Sequence, residues 1–143
     1  MTAPRWFSPA ALLLVMAGGA AGVAARALLT VPLTGQSHPL VIPAVTLGIN
    51  LLGSLLLGVV IGWLDDRHPR ARLFLGTGMM GGFTTYSAFA VQSVTVSTAS
   101  PLVGLTLIAL SLFGGALAAA VGLGLGRRIV DRPGEIERAE DAE

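Results

Sequence analysis

The sequence contains no cysteine, which excludes disulfides, thiolate metal sites and thiol catalysis. It contains no lysine either: all nine basic residues are arginine. Charged residues make up only 12% of the chain, where a soluble globule carries about twice that share. The two histidines, His38 and His68, lie too far apart to read as a metal-ligand pair. No nucleophile–base pair or metal motif is visible, so an enzyme is not expected. No Asp or Glu falls inside any long apolar stretch, which argues against a proton-coupled exporter that must exchange protons on an intramembrane carboxylate. The net charge of +1 is uninformative about partners; no nucleic-acid partner is expected.

What the sequence has is apolar length. Hydrophobic residues make up 53% of its 143 residues, and the mean hydropathy is +0.77. Four apolar segments run over about 9–29, 42–64, 73–99 and 102–125. Each reaches the ~20 residues that a helix needs to cross a bilayer. Pro32, Pro39, Pro43 and Pro69 fall in or beside the connections, and Pro101 suits the first turn of the fourth helix. The reading is a single all-α membrane domain, with a transmembrane core over about 9–125 and a polar tail over 126–143. Arg5, the first apolar run and Ala24–Ala25–Arg26–Ala27 have the parts of a signal peptide, but the run is long for one.

Arginine placement gives a topology. With four crossings, Arg5, Arg67, Arg70, Arg72, Arg127, Arg128, Arg132 and Arg138 all fall on one side, and only Arg26 lies near the other face. The positive-inside rule then puts both termini in the cytoplasm of a cell-membrane protein. Asp65 and Asp66 contribute little to orientation.

Glycine recurs at helical spacing: Gly18/Gly22, Gly58/Gly62, Gly78/Gly82 and Gly122/Gly126. Small residues four apart let helix backbones approach closely in lipid. Each pair reads first as close helix packing and second as a dimer seam. Four short helices enclose little volume, so a transport function calls for an oligomer.

Polar groups within the apolar segments are the functional candidates, because burying them in lipid is costly. Asn50 sits mid-segment with two donors and one acceptor on its amide. It reads equally as interhelical glue, worth about 0.6 kcal/mol on average, or as a pore donor. The stretch from Gly76 to Phe89 joins a Gly81–Gly82 pair to β-branched Thr84–Thr85, a poor continuous helix. A break there frees backbone carbonyls, hard oxygen ligands for a small cation, and is tolerated only where protein or a cavity lines it. Tyr86 and Phe89 share a helix face, and their electropositive ring edges suit a dehydrated anion as well as ordinary packing. Arg26 reads as a snorkelling end residue or an anion-attracting one. Ser87, Ser93, Thr95, Ser97, Thr98, Thr106 and Ser111 are hydroxyls that can also bond back to their own helix.

Three motifs taken in order, Gly18–Gly22 with Arg26, Gly48–Gly58 around Asn50, and Gly81–Phe89, make the chain resemble the CrcB/Fluc family of fluoride channels over about 10–125. The resemblance implies an antiparallel dimer in the lipid bilayer, with the third helix broken near Gly81–Thr84 and two narrow fluoride paths. It implies passive export of cytoplasmic fluoride. It also implies a structural Na⁺ that is not transported, held at the dimer centre by the carbonyls of Gly81 and Thr84. Asn50 matches the family's pore amide, Tyr86 and Phe89 its two pore-facing phenylalanines, and Arg26 its vestibule arginine. Ser111 is the candidate for a fourth-helix pore hydroxyl. The chain departs from the pattern at Tyr86, usually Phe, and at Ala88, usually Thr. The eight-to-one arginine bias departs from what a chain that inserts both ways needs. The partner is therefore either a second copy or a paralogue of opposite orientation, with the bias favouring the paralogue. The competing functions are a small multidrug-type exporter and a non-transporting accessory subunit.

Overall fold

A computed structural model describes residues 8–35, 37–64 and 67–130. Arg5, Asp65, Asp66, Arg132, Arg138 and the acidic end lie outside the described residues. Helix α1 (Pro9–Thr30) starts on a proline whose missing N–H costs nothing there, and ends in a short 3₁₀ turn at Val31–Leu33. Helix α2 spans Val41–Leu64. Helix α3 covers 69–83 and is mostly π-helical, over Arg72–Met80, before a last α-turn at Gly81–Phe83. Helix α4 spans Tyr86–Ala99. Helix α5 runs over Pro101–Val130 with a π segment at Leu110–Gly114. It continues past Leu125, which puts Arg127 and Arg128 on its last turn. Among the described residues no strand occurs, so the all-α reading stands.

The glycine pairs set how the helices meet. A Cβ at Gly18 would strike the Phe74 carbonyl and lie 2.9 Å from Met79 N; one at Gly82 would strike the Gly19 carbonyl. Contacts advance along α1 and α3 together, from Val15–Gly78 to Gly22–Phe83, so these helices are parallel. Gly58 and Gly62 meet Ala119–Arg127, while Gly122 and Gly126 meet Leu55–Trp63, so α2 and α5 are parallel too. All four pairs are spent on packing within the chain, where backbone-to-backbone contact substitutes for the hydrophobic drive that lipid does not supply.

Direction follows from these seams. Gly76 faces Leu57 and Val60, and Gly53 faces Thr84, so α2 runs against α3. Gly104 packs on Ser97 across the tight turn at Ser100, so α4 runs against α5. Helices α3 and α4 therefore point the same way and form one broken crossing. Helices α1, α2 and α5 are each long and apolar enough to cross alone; α4, at 14 residues, is not. Among the described residues, twenty-four large apolar side chains are exposed and no large side chain is fully buried. Such a surface needs lipid or a partner to cover it.

Candidate functional site

The break lies at Thr84–Thr85, beside Asn50 and Gly53 in the middle of α2. Thr84 (φ −76°, ψ 161°) and Thr85 (φ −146°, ψ 114°) are extended, whereas Gly81–Phe83 stay helical. The third helix thus breaks where the sequence placed it, but the threonines unwind rather than the glycines. Gly82 is needed for its close approach to the Gly19 backbone, not for a bend.

Side chains from α1 and α2, together with the two threonines themselves, hold the break. Asn50 on α2 donates from Nδ2 to the Thr85 carbonyl at 3.1 Å, and its Oδ1 accepts the Thr85 N–H at 2.9 Å. Arg26 on α1 is half-buried and donates from Nε to the Gly82 carbonyl at 3.3 Å. There its charge faces the negative end of α3. Thr84 Oγ1 donates back to the Met80 carbonyl at 2.9 Å. Thr85 Oγ1 caps α4 by accepting the Ala88 N–H at 3.2 Å.

These bonds decide which groups stay open. In an unbroken helix the Gly81 carbonyl would receive the Thr85 N–H, and the Thr84 carbonyl the Ala88 N–H. The first is diverted to Asn50 and the second to the Thr85 hydroxyl. The two carbonyls are hard, neutral oxygen ligands of the kind that suits an alkali cation. Among the described residues no cluster of His, Cys, Asp or Glu could hold a metal ion. Beside them, the N-terminus of α4 presents N–H groups and the positive end of its dipole. The break therefore sets a carbonyl-rich end against an anion-attracting end.

A groove of about 550 Å³ runs along the break. Asn50, Gly81, Thr84, Tyr86, Phe89 and Ser111 all line it. Arg26 does not; it lies behind the break, on α1. Tyr86 is 81% exposed, and its ring centre is 6.0 Å from that of Phe89 with the planes tilted by 53°. Asn50 has one N–H left after clasping Thr85. Both π segments contribute to the wall, with Gly76 and Thr77 from one and Ser111 and Leu112 from the other. π turns are rare and cluster at functional sites.

Sequence reasoning missed Thr85, although a threonine ahead of a helical run is an N-cap signal. It also missed a small second cavity lined by Thr46, Gln92 and Ser93, which shares Phe89 and Ser111 with the groove. Thr46 and Ser93 are buried at 4% and 6% exposure. Of the undecided hydroxyls, Thr95, Thr98 and Thr106 bond back to their own helix.

A sequence model of the family described as CrcB-like protein, Camphor Resistance (CrcB), matches residues 13–123. The chain belongs to the CrcB family. The matched span contains the whole break and every residue that lines the groove. A CrcB relative from Corynebacterium jeikeium, named fluoride-specific ion channel FluC 2, is 42% identical over 133 residues, covering 80% of this chain and 78% of the relative. One of the same name from Leifsonia xyli subsp. xyli is 42% identical over 130 residues, covering 86% and 88%. A third, from Bacillus subtilis, is 40% identical over 118 residues, covering 80% and 86%. CrcB relatives are thus named as channels and not as enzymes, and this member of the family is a helical membrane protein without enzymatic activity.

Proposed function

We propose that this chain is one half of a passive, fluoride-selective channel that releases fluoride from the cytoplasm. The observation that carries the reading is the groove. It gathers an amide N–H (Asn50), a hydroxyl (Ser111) and two aromatic rings (Tyr86, Phe89) beside a helix N-terminus in an otherwise apolar protein. The names of its relatives give the anion.

Fluoride is small and strongly hydrated, so a selective path must replace water with donors. Asn50 and Ser111 supply neutral donors, and the ring edges of Tyr86 and Phe89 supply weaker contacts that let the ion leave. Fluoride enters cells from acidic surroundings as neutral HF and dissociates inside; an open pore then lets the anion run down its electrochemical gradient without ATP. The groove is open along one side, so a second chain closes it.

Na⁺ held by the carbonyls of Gly81 and Thr84 is structural. Two carbonyls are too few for a hard cation, and the partner's pair completes the set. Arg67, Arg70, Arg72, Arg127 and Arg128 fall at the same end of their crossings, and this bias supports a topology with both termini in the cytoplasm. The partner is a paralogue of opposite orientation, in preference to a second copy. The test is fluoride tolerance of a host lacking its own exporter, with reporters fused to the C-terminus. Restored tolerance only with the paralogue, and one reporter orientation, supports the reading. Restored tolerance with this chain alone in both orientations defeats the paralogue. No tolerance in either case, with well-inserted protein, defeats the channel.

A further inference from the structure

Asn50 sits where the cation site and the anion path touch. The sequence pattern alone does not explain why the backbone opens there. β-branched residues are not sufficient: Val94–Thr95–Val96 are three in a row and remain helical within α4. Nor are the glycines, since Gly81 and Gly82 are helical. What is special to Thr85 is its partner. Asn50 accepts its N–H and donates to its carbonyl, at 2.9 and 3.1 Å. This two-way pairing of one residue's N–H and C=O is what a neighbouring β-strand supplies, and Thr85 has the extended dihedrals that such pairing requires.

We propose that Asn50 is a positioning residue for the cation site: by pairing with Thr85 as a strand would, it keeps the third crossing unwound and leaves the Gly81 carbonyl open to a hard monovalent cation. The inference rests on the structural Na⁺ of the proposed function. The route is specific. The Thr85 N–H is the group that would otherwise close on the Gly81 carbonyl, four residues earlier. Once Asn50 takes it, the carbonyl loses its helical donor, and Gly81 lines the groove. The unwinding then lets the Thr85 hydroxyl take the Ala88 N–H, which leaves the Thr84 carbonyl open as well. Of the two carbonyls between them, that of Gly82 is covered by Arg26. Asn50 thus decides that the Gly81 carbonyl stays open. Asn50 also lines the groove and keeps one N–H unused, so one residue links retention of the cation to passage of the anion.

Asn50→Ala and Asn50→Asp in the full-length, lipid-reconstituted protein separate these roles. Alanine removes both bonds to Thr85; aspartate keeps an acceptor for the Thr85 N–H and removes the N–H donor. Two readouts are independent of flux: the carbon chemical shifts of Thr84 and Thr85, which distinguish extended from helical backbone, and the rise in melting temperature on replacing choline with Na⁺. The wild type is expected to show extended shifts and Na⁺ stabilisation. Asn50→Ala is expected to move both threonines towards helical shifts and to raise the Na⁺ concentration for half-maximal stabilisation roughly tenfold. Asn50→Asp is expected to keep the extended shifts and the Na⁺ response while losing fluoride flux. Unchanged shifts and Na⁺ response in Asn50→Ala overturn the proposal. If Asn50→Ala does not fold, Asn50→Asp decides alone, and helical shifts or a lost Na⁺ response there overturn it. If the wild type itself is indifferent to Na⁺, the cation site and this proposal both fall, and fluoride efflux from the same vesicles shows whether the channel reading survives.

Discussion

The α2–α5 seam predicts that two glycines about half a turn apart on one helix respond oppositely to the same substitution. A Cβ on Gly122 would strike the Leu55 carbonyl, and would lie 2.9 Å from the Leu55 carbonyl carbon and 3.1 Å from Val59 N. All three obstacles are backbone, so no side-chain rotation relieves them. The whole helix must move out, which loosens the contacts at Gly58, Gly62 and Gly126, where a Cβ would lie 2.8–2.9 Å from a backbone nitrogen on the facing helix. A Cβ on Gly124 meets nothing within 4 Å. Both alanines gain the same helix propensity, up to about 1 kcal/mol. The difference between Gly122→Ala and Gly124→Ala therefore isolates the overpacking cost, about 1–3 kcal/mol. Reversible unfolding in mixed micelles, followed by the two tryptophans, measures it. Equal stabilities for the two variants would refute the claim that this seam is set by backbone contact.

Other outcomes follow from the break and the groove. Thr85→Val keeps the shape of the side chain but removes the cap on the Ala88 N–H, and is expected to cost about 1 kcal/mol in the same unfolding assay. Phe89 lines both the groove and the small cavity beyond it; Phe89→Ala is expected to cut fluoride efflux roughly tenfold or more. Tyr86→Phe keeps the ring edge beside Phe89, and efflux within a few-fold of wild type, on the order of 1 kcal/mol in barrier, is expected; a complete loss would assign the conducting role to the hydroxyl. Arg26→Gln keeps a donor for the Gly82 carbonyl while removing the charge; a large fall in efflux with unchanged stability would mark the charge, and not the hydrogen bond, as what fluoride senses.

Much of the fold was legible because lipid imposes long apolar runs. The first run was read as 9–29 and the helix is Pro9–Thr30; the second as 42–64 and the helix is Val41–Leu64. The break was legible in composition, but its cause was not. Gly81–Gly82 looked like the weak point, yet Gly82 serves contact with α1, and the unwinding depends on Asn50, thirty-five residues from Thr85 in sequence. Local propensity cannot register such a partner. The spacing of the glycine pairs was visible; which pair meets which was not, because that depends on helix direction. The π segments at Arg72–Met80 and Leu110–Gly114 left no sequence signal, since an extra residue per turn is accommodated by tertiary packing. Asn50 read equally as glue or as pore donor; in the structure it clasps Thr85 and still has one N–H to spare.

Fluoride efflux from proteoliposomes, read with a fluoride electrode beside chloride-loaded controls, decides whether this chain forms a selective anion path. Rapid fluoride release without chloride release is expected when this chain is reconstituted with its paralogue, and loss of that release in Asn50→Ala. Chloride release at a comparable rate, or no fluoride release from well-folded protein with the paralogue present, would contradict the channel reading.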